Sequence, residues 1–318
     1  MEYAYLGRTG LKVSRVCLGT MNFGALASKA DSFAIMDRAL ELGVQFFDTA
    51  NIYGGQAGKG ASEEIVGRWL AQDGARRRDQ IVLATKVCGR MGEGVNDTNL
   101  SAYHIRQACD ESLRRLKTDH IDLYQMHFYD RNTPWEELFQ AMEQLMRAGK
   151  VLYLGSSNYP AWKIMQGNAL AAQRHLMGLV SEQCQYSLAA RGAEREVLPA
   201  CRELGVGVIP YSPLGGGLLC GVLGKEAASE GRRSSPYMQE RIDKDRPKLE
   251  AYETLCRDLG HAPAEVALAW TLANPAITAP IAGPRTVEQL EAAVAATELK
   301  LSEDTLTRLD EIWPGPGK

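Results

Sequence analysis

The feature that most restricts the fold of this 318-residue chain is an alternation of two patterns. Short, continuously apolar runs at 16–19, 46–50, 81–86, 121–127, 151–158, 179–186, 206–211 and 277–283 are separated by segments of helical periodicity. Unbroken apolar runs of this length predict strands of a parallel sheet buried on both faces. In the segment that opens at Ser101, Ile105, Ala108, Cys109, Leu113 and Leu116 fall on one helical face, and Ser101 is a candidate N-cap. Thr133-Pro134-Trp135-Glu136 reads as a capping box with proline at the first helical position. Gly43, Gly149 and Gly205 stand where a helix ends and a strand follows, the place for a left-handed residue. Eight such units predict a (β/α)8 TIM barrel. An N-terminal β-hairpin over 2–14, turning at Gly7-Arg8-Thr9-Gly10, precedes it, and an extra helix closes the C-terminus. An open doubly wound sheet is the rival architecture, but two domains need a linker. None is visible, so 1–318 reads as one barrel domain.

Composition narrows the function classes. Lys+Arg 36 against Asp+Glu 39 gives a net charge of −3, with no basic field to hold nucleic acid. The first residues lack a secretory pattern, and no run approaches the ~18 apolar residues of a membrane span, so a cytoplasmic protein without membrane partners is expected. Seven scattered cysteines without a C-x-x-C spacing read as reduced thiols, neither a disulfide frame nor a metal site. The sequence carries no sign of oligomeric state.

In a barrel, chemistry collects at the C-terminal ends of the strands. Those ends carry Asp48, then Tyr53 in the next loop, Lys86 and His127. Taken singly these are a turn residue, a surface aromatic, a solvated lysine and a hydrogen-bonded core histidine. Together, at consecutive strand ends, they match what reduction of a carbonyl requires. A proton donor must meet the developing alkoxide. Tyr53 can donate, but a free phenol has a pKa of about 10. An ammonium at ~4 Å contributes about 4 kcal/mol toward the phenolate at an effective dielectric of ~20. Lys86 is positioned to supply that charge, Asp48 to keep it protonated, and His127 to orient the carbonyl and stabilise its oxyanion.

These residues lie in Asp48-Thr49-Ala50-Asn51-Ile52-Tyr53-Gly54, Ala84-Thr85-Lys86 and Leu123-Tyr124-Gln125-Met126-His127. In those motifs, and over nearly its whole length, the chain resembles the aldo-keto reductase superfamily, whose catalytic tetrad is carried over onto Asp48, Tyr53, Lys86 and His127. The resemblance implies an NADPH-dependent enzyme acting on a small-molecule carbonyl substrate. No G-x-G-x-x-G or Walker A motif is present, which suits a family that lays NADPH/NADP in an extended pose across the barrel mouth. By the same resemblance, Ser157, Asn158 and Gln183 hold the carboxamide, Tyr211 stacks on the nicotinamide, and Thr20, Met21 and Asp48 border it. Ser212, Leu214 and Gly216, within Gly215-Gly216-Gly217, offer main chain to the pyrophosphate. Gly283, Arg285 and Gln289 face the 2′-phosphate. The chain departs from the family at Ala292-Ala293, where a Glu-Asn pair often meets adenine.

The substrate is less defined. Phe23, Tyr53, Phe128, Tyr129 and residues 88–99 are candidates to line its pocket. The irregular stretch 215–246 reads as a lid or binding loop, with Lys225, Arg232, Arg233 and Arg241 as contacts for a diphosphate or as solvated charge. Gly94-Val95-Asn96-Asp97, the run 101–116 and Gly155-Ser156-Ser157-Asn158 resemble bacterial reductases of nucleotide-linked keto-deoxysugars. They resemble general carbonyl reductases equally. A different class, the cofactor-holding potassium-channel β subunits, shares the scaffold but has asparagine where this chain has His127.

Overall fold

The computed structural model describes residues 1–73, 76–224 and 235–317. A hairpin of β1 (Tyr3–Tyr5) and β2 (Lys12–Ser14) opens the chain. Eight parallel strands follow: β3 (Cys17–Gly19), β4 (Phe46–Asp48), β5 (Val82–Val87), β6 (Ile121–Met126), β7 (Val151–Ser157), β8 (Leu179–Gln183), β9 (Gly207–Val208) and β10 (Ile281–Ala282). They are ordered β10-β3-β4-β5-β6-β7-β8-β9. The ring closes where Thr278 N–H donates to the Val208 carbonyl and Ile281 N–H to that of Pro210, both at 2.9 Å. The fold is the expected (β/α)8 barrel.

The helices are α1 (Lys29–Glu41), α2 (Ala61–Leu70), α3 (Arg76–Asp79), α4 (Ala102–Leu116), α5 (Trp135–Arg147), α6 (Ala161–Gln173), α7 (Val197–Leu204), α8 (Pro236–Lys244), α9 (Arg246–Leu259), α10 (Pro263–Ala273), α11 (Val287–Ala295) and the extra C-terminal α12 (Glu303–Ile312), which packs on α9. Gly43, Gly149 and Gly205 adopt φ of 79°, 71° and 63°, the left-handed turn out of a helix that side chains resist. Ser101 caps α4 by accepting from the His104 N–H.

Three local expectations need correction. Pro134 is the N-cap of α5, not its first helical residue, and no capping box forms, because the Thr133 hydroxyl donates to Asp130 at 2.6 Å instead. Strands nine and ten are shorter than their apolar runs, because Pro210 and Pro280 have no N–H to continue a ladder. Stretch 215–246 is not irregular throughout: Ser235 caps α8, with Pro236 in its first turn. There Arg241 donates to the Ala189 carbonyl at 2.9 Å, tying α8 to the loop after β8. Lys225, Arg232 and Arg233 lie outside the described residues.

The barrel is filled by Cys17, Phe46, Val82, Ala84, Leu123, Val180, Ile209 and Ala279, and Leu6 and Val13 of the hairpin pack against them. The hairpin closes the end formed by the strand N-termini. A Cβ on Gly7 would lie 2.6 Å from the carbonyl oxygens of Val180 and Gly205, so only glycine lets it approach. Its neighbour Arg8 donates to the carbonyls of Met177 and Leu204. With that end plugged, the opposite mouth is the one free to carry a site.

Outside the barrel, Glu63 of α2 accepts from Thr85 of β5 at 2.6 Å and pairs with Arg115 of α4 at 2.7 Å, all three buried. Removing one partner of a buried pair strands the other charge. Arg115→Leu is therefore expected to lower unfolding free energy by about 3–5 kcal/mol, and adding Glu63→Leu to recover most of it. Urea denaturation of both variants measures this; equal losses would show that the pair is not the source.

Candidate active site

Register brings the polar strand ends together. Gly19 of β3 lies opposite Asp48 of β4, Asp48 opposite Ala84 of β5, and Lys86 opposite Gln125 of β6. Lys86 is fully buried, with Asp48 2% and His127 7% exposed. The Lys86 Nζ donates to Asp48 Oδ2 at 2.5 Å, to the Thr49 carbonyl at 2.9 Å and to Tyr53 Oη at 3.1 Å. Burial pulls the Lys86 ammonium down, but the Asp48 carboxylate and the Tyr53 oxygen outweigh it and hold Lys86 above its ordinary range. The coupling is mutual: what favours the ammonium beside a phenolate favours the phenolate beside an ammonium.

His127 and Tyr53 meet edge to face, with centroids 5.7 Å apart, and His127 stacks on Phe128 at 4.5 Å. Burial, helped by the charge of Lys86, pushes its pKa down to about 3, so the imidazole is neutral. Its Nδ1 is buried without a hydrogen-bond partner among the described residues. The four tetrad candidates thus share one mouth.

Gln125 was not singled out from the sequence. Its Nε2 donates to Asp48 Oδ1 at 3.0 Å, and Gln183 Nε2 donates to the same oxygen at 2.9 Å. The available signal was parity: Gln125 lies two residues before His127, on the same face of β6, where a core strand would carry an apolar side chain.

The remaining cofactor candidates lie at or after the C-terminal ends of β3, β7, β8, β9 and β10. Asn158, at a left-handed φ of 59°, donates from Nδ2 to the His127 carbonyl at 3.1 Å and accepts the Tyr211 hydroxyl on Oδ1 at 2.9 Å. The Ser157 hydroxyl donates to the Gln183 carbonyl at 2.9 Å. Thr20 is buried, its hydroxyl shared between the Asp48 carbonyl and Ser62, and Met21 beside it is half-buried. Ser212, Gly215, Gly216 and Gly217 all have positive φ, and Leu214 lies within this bend. A Cβ on Gly216 would come 3.3 Å from the end of the Met238 side chain, and at φ 73° a side chain there would be strained. Across from it, Asn22 donates to the Gly283 carbonyl at 2.8 Å. Arg285 and Gln289 are exposed, and Gln289 Oε1 accepts the Arg285 N–H at 2.8 Å, at the start of α11. Of the pocket candidates, Phe128 is 46% exposed at the rim, whereas Tyr129 packs against Tyr159 and Trp162. Phe23 does not line the mouth: it is buried between sheet and helices, with Leu18, Ile35 and Val66.

The family model described as Aldo/keto reductase family matches residues 15–314. The chain belongs to this family. It is 53% identical over 321 residues to the uncharacterized oxidoreductase YrpG of Bacillus subtilis, covering 100% of this chain and 97% of that protein. It is 32% identical to versiconal hemiacetal acetate reductase of Aspergillus parasiticus, over 98% of this chain and 96% of the relative. With norsolorinic acid reductase B of Dothistroma septosporum it shares 34% identity, over 99% and 82%. The protein is accordingly an oxidoreductase of the aldo/keto reductase family. Among the described residues no helix is long and apolar enough to cross a membrane.

Burial of His127 has a measurable sign. Between about pH 6.5 and 3 an unfolded imidazole binds a proton that the folded one refuses, so its contribution to stability is present above 6.5 and lost as pH falls toward 3. Histidine side-chain NMR is expected to show His127 neutral at pH 5; protonation near pH 6 would contradict the desolvated setting.

Proposed function

We propose that this protein reduces the aldehyde or ketone group of a small molecule to an alcohol, with NADPH as reductant and Tyr53 as proton donor. The observation that carries the reading is the buried Lys86 ammonium bonded at once to Asp48 and Tyr53. A dry ammonium touching a phenol oxygen stabilises the phenolate left behind when the proton moves to the alkoxide. Neutral His127, beside Tyr53, supplies a hydrogen bond to the carbonyl oxygen without competing for its proton.

The cofactor, when bound, supplies the hydride. The residues at the mouth fit it. Ser212 and the glycines 215–217, all in the left-handed region, offer main chain suited to a pyrophosphate. Tyr211, held by Asn158, offers an aromatic face. Ser157, Asn158 and Gln183 hold amide- and hydroxyl-type groups at the strand ends, and exposed Arg285 can meet a phosphate with two parallel bonds. That two relatives are named as reductases supports the direction of the reaction.

Loss of NADPH absorbance with a panel of aldehydes, ketones and nucleotide-linked keto-sugars tests the reading and sorts the substrate class. A protein that binds NADPH yet turns over nothing on that panel would be a cofactor-holding regulator instead. Tyr53→Phe is expected to cut kcat by about 10²–10⁴-fold, with NADPH affinity within about twofold; near-full activity would remove Tyr53 from the proton path. Arg285→Ala is expected to weaken NADPH about 10- to 100-fold, as for loss of a charge-assisted bond, and NADH hardly at all. Equal losses, measured by fluorescence titration, would exclude a 2′-phosphate contact.

A further inference from the structure

The barrel wall holds a second carboxyl that the proposed chemistry leaves unused. Glu182 lies on β8 next to Gln183 but faces the opposite side, toward the helices. It is 0% exposed, and no ion pair reaches it among the described residues. Its Oε2 accepts the Ser156 hydroxyl at 2.5 Å, and its Oε1 accepts the Tyr159 N–H at 3.1 Å. Ser156 is its partner across the β7–β8 ladder, and Tyr159 leads into α6. Between these two anchors lie Ser157 and Asn158. Asn158 takes the left-handed conformation that side chains rarely adopt, and from it reaches the His127 carbonyl, Ser157 Oγ and the Tyr211 hydroxyl. An apolar side chain would fill this space without the cost of a desolvated carboxyl, so what Glu182 contributes is the pair of bonds.

We propose that Glu182 is a positioning residue for the nicotinamide end of the cofactor site, pinning Ser156 and Tyr159 from behind the wall so that Ser157, Asn158 and Tyr211 are held ready at the mouth. The proposal rests on the cofactor reading given above, but the anchor itself can be measured without cofactor.

Among the described residues, Tyr159, Cys184, Cys201 of α7 and Tyr211 feel the charge of Glu182, none of them a cation. Burial pushes its pKa up to about 8, against the pull of the hydrogen bonds it accepts, that of Ser156 foremost. The folded protein therefore keeps a proton that the unfolded chain releases near 4.5. The associated stability is present at low pH and lost as pH rises through about 8.

The test compares Glu182→Leu and Glu182→Gln with the wild type. In Glu182→Leu, hydrogen exchange at the Tyr159 amide of the cofactor-free protein is expected to accelerate at least ~10-fold, and NADPH and NADP+ to bind ~10-fold more weakly by fluorescence titration. At saturating cofactor the KM for the carbonyl substrate stays within about twofold. Glu182→Gln, which keeps an acceptor and a neutral shape, restores both exchange protection and affinity and flattens the stability loss between pH 5 and 8. Should the leucine variant fail to fold, Ser156→Ala removes one anchor alone and is expected to weaken cofactor two- to fivefold, roughly a third to two-thirds of the leucine effect in free energy. A folded leucine or alanine variant with unchanged cofactor affinity overturns the proposal, as does a glutamine variant that is no better than leucine. If the wild type itself takes up no NADPH, the cofactor reading fails with the proposal; loss of cofactor affinity without faster Tyr159 exchange overturns the anchor alone.

Discussion

The whole mouth depends on keeping one ammonium charged where water does not reach it. Lys86 has three N–H donors, and the structure gives them three acceptors, on Asp48, Thr49 and Tyr53. Asp48 is as fully used: Oδ2 takes Lys86, while Oδ1 takes both glutamine amides, from Gln125 and Gln183. Buried ion pairs seldom stabilise a fold better than apolar side chains of similar volume. What this one provides is a fixed positive charge against a phenol oxygen.

That arrangement depends in turn on strand register. Asp48 and Lys86 come from different strands, and their side chains meet because both point into the barrel near the same level. A slip of one residue in β4 or β5 would turn either group outward into the helix layer. The registry is secured away from the chemistry. The plugged lower end, the Phe46, Val82, Ala84 and Leu123 packing above it, and the Glu63 bridge from α2 to β5 and α4 all lock these strands. Scaffold and site are thus separated along the barrel axis, so loops at the mouth can vary without loosening the tetrad.

The same separation explains what could be read from the sequence. Strands and helices were legible because each carries its own period, and the glycines between them because one residue suffices to demand a left-handed turn. Asp48, Tyr53, Lys86 and His127 stood out because ionisable groups are rare at the ends of buried strands. Features set by competition between partners were not legible. Thr133 has the identity of a helix cap, but Asp130 takes its hydroxyl. Phe23 looked like a pocket residue because it follows strand β3, yet the turn that begins at Thr20 sends it into the helix layer. Gln125 and Glu182 are polar residues inside apolar strands, and only the neighbouring strand reveals what each one holds. The short last strands were hidden for a different reason: proline is apolar enough to extend a run by composition while ending it by hydrogen bonding.

Gln183 and Glu182 show how one strand serves both layers. Alternation sends Gln183 into the barrel, where its amide helps saturate a carboxylate that also faces an ammonium. It sends Glu182 outward, where the carboxyl meets a hydroxyl and an N–H but, among the described residues, no cation. The two carboxyl groups, Asp48 and Glu182, are therefore supported differently on either side of a single wall: one by a full positive charge and two amides, the other by neutral donors alone. In an apolar setting, neutral donors cannot offset the cost of a bare negative charge, whereas a contact ammonium with supporting amides can. The wall thus keeps an ion pair on the barrel side and a proton-retaining carboxyl behind it.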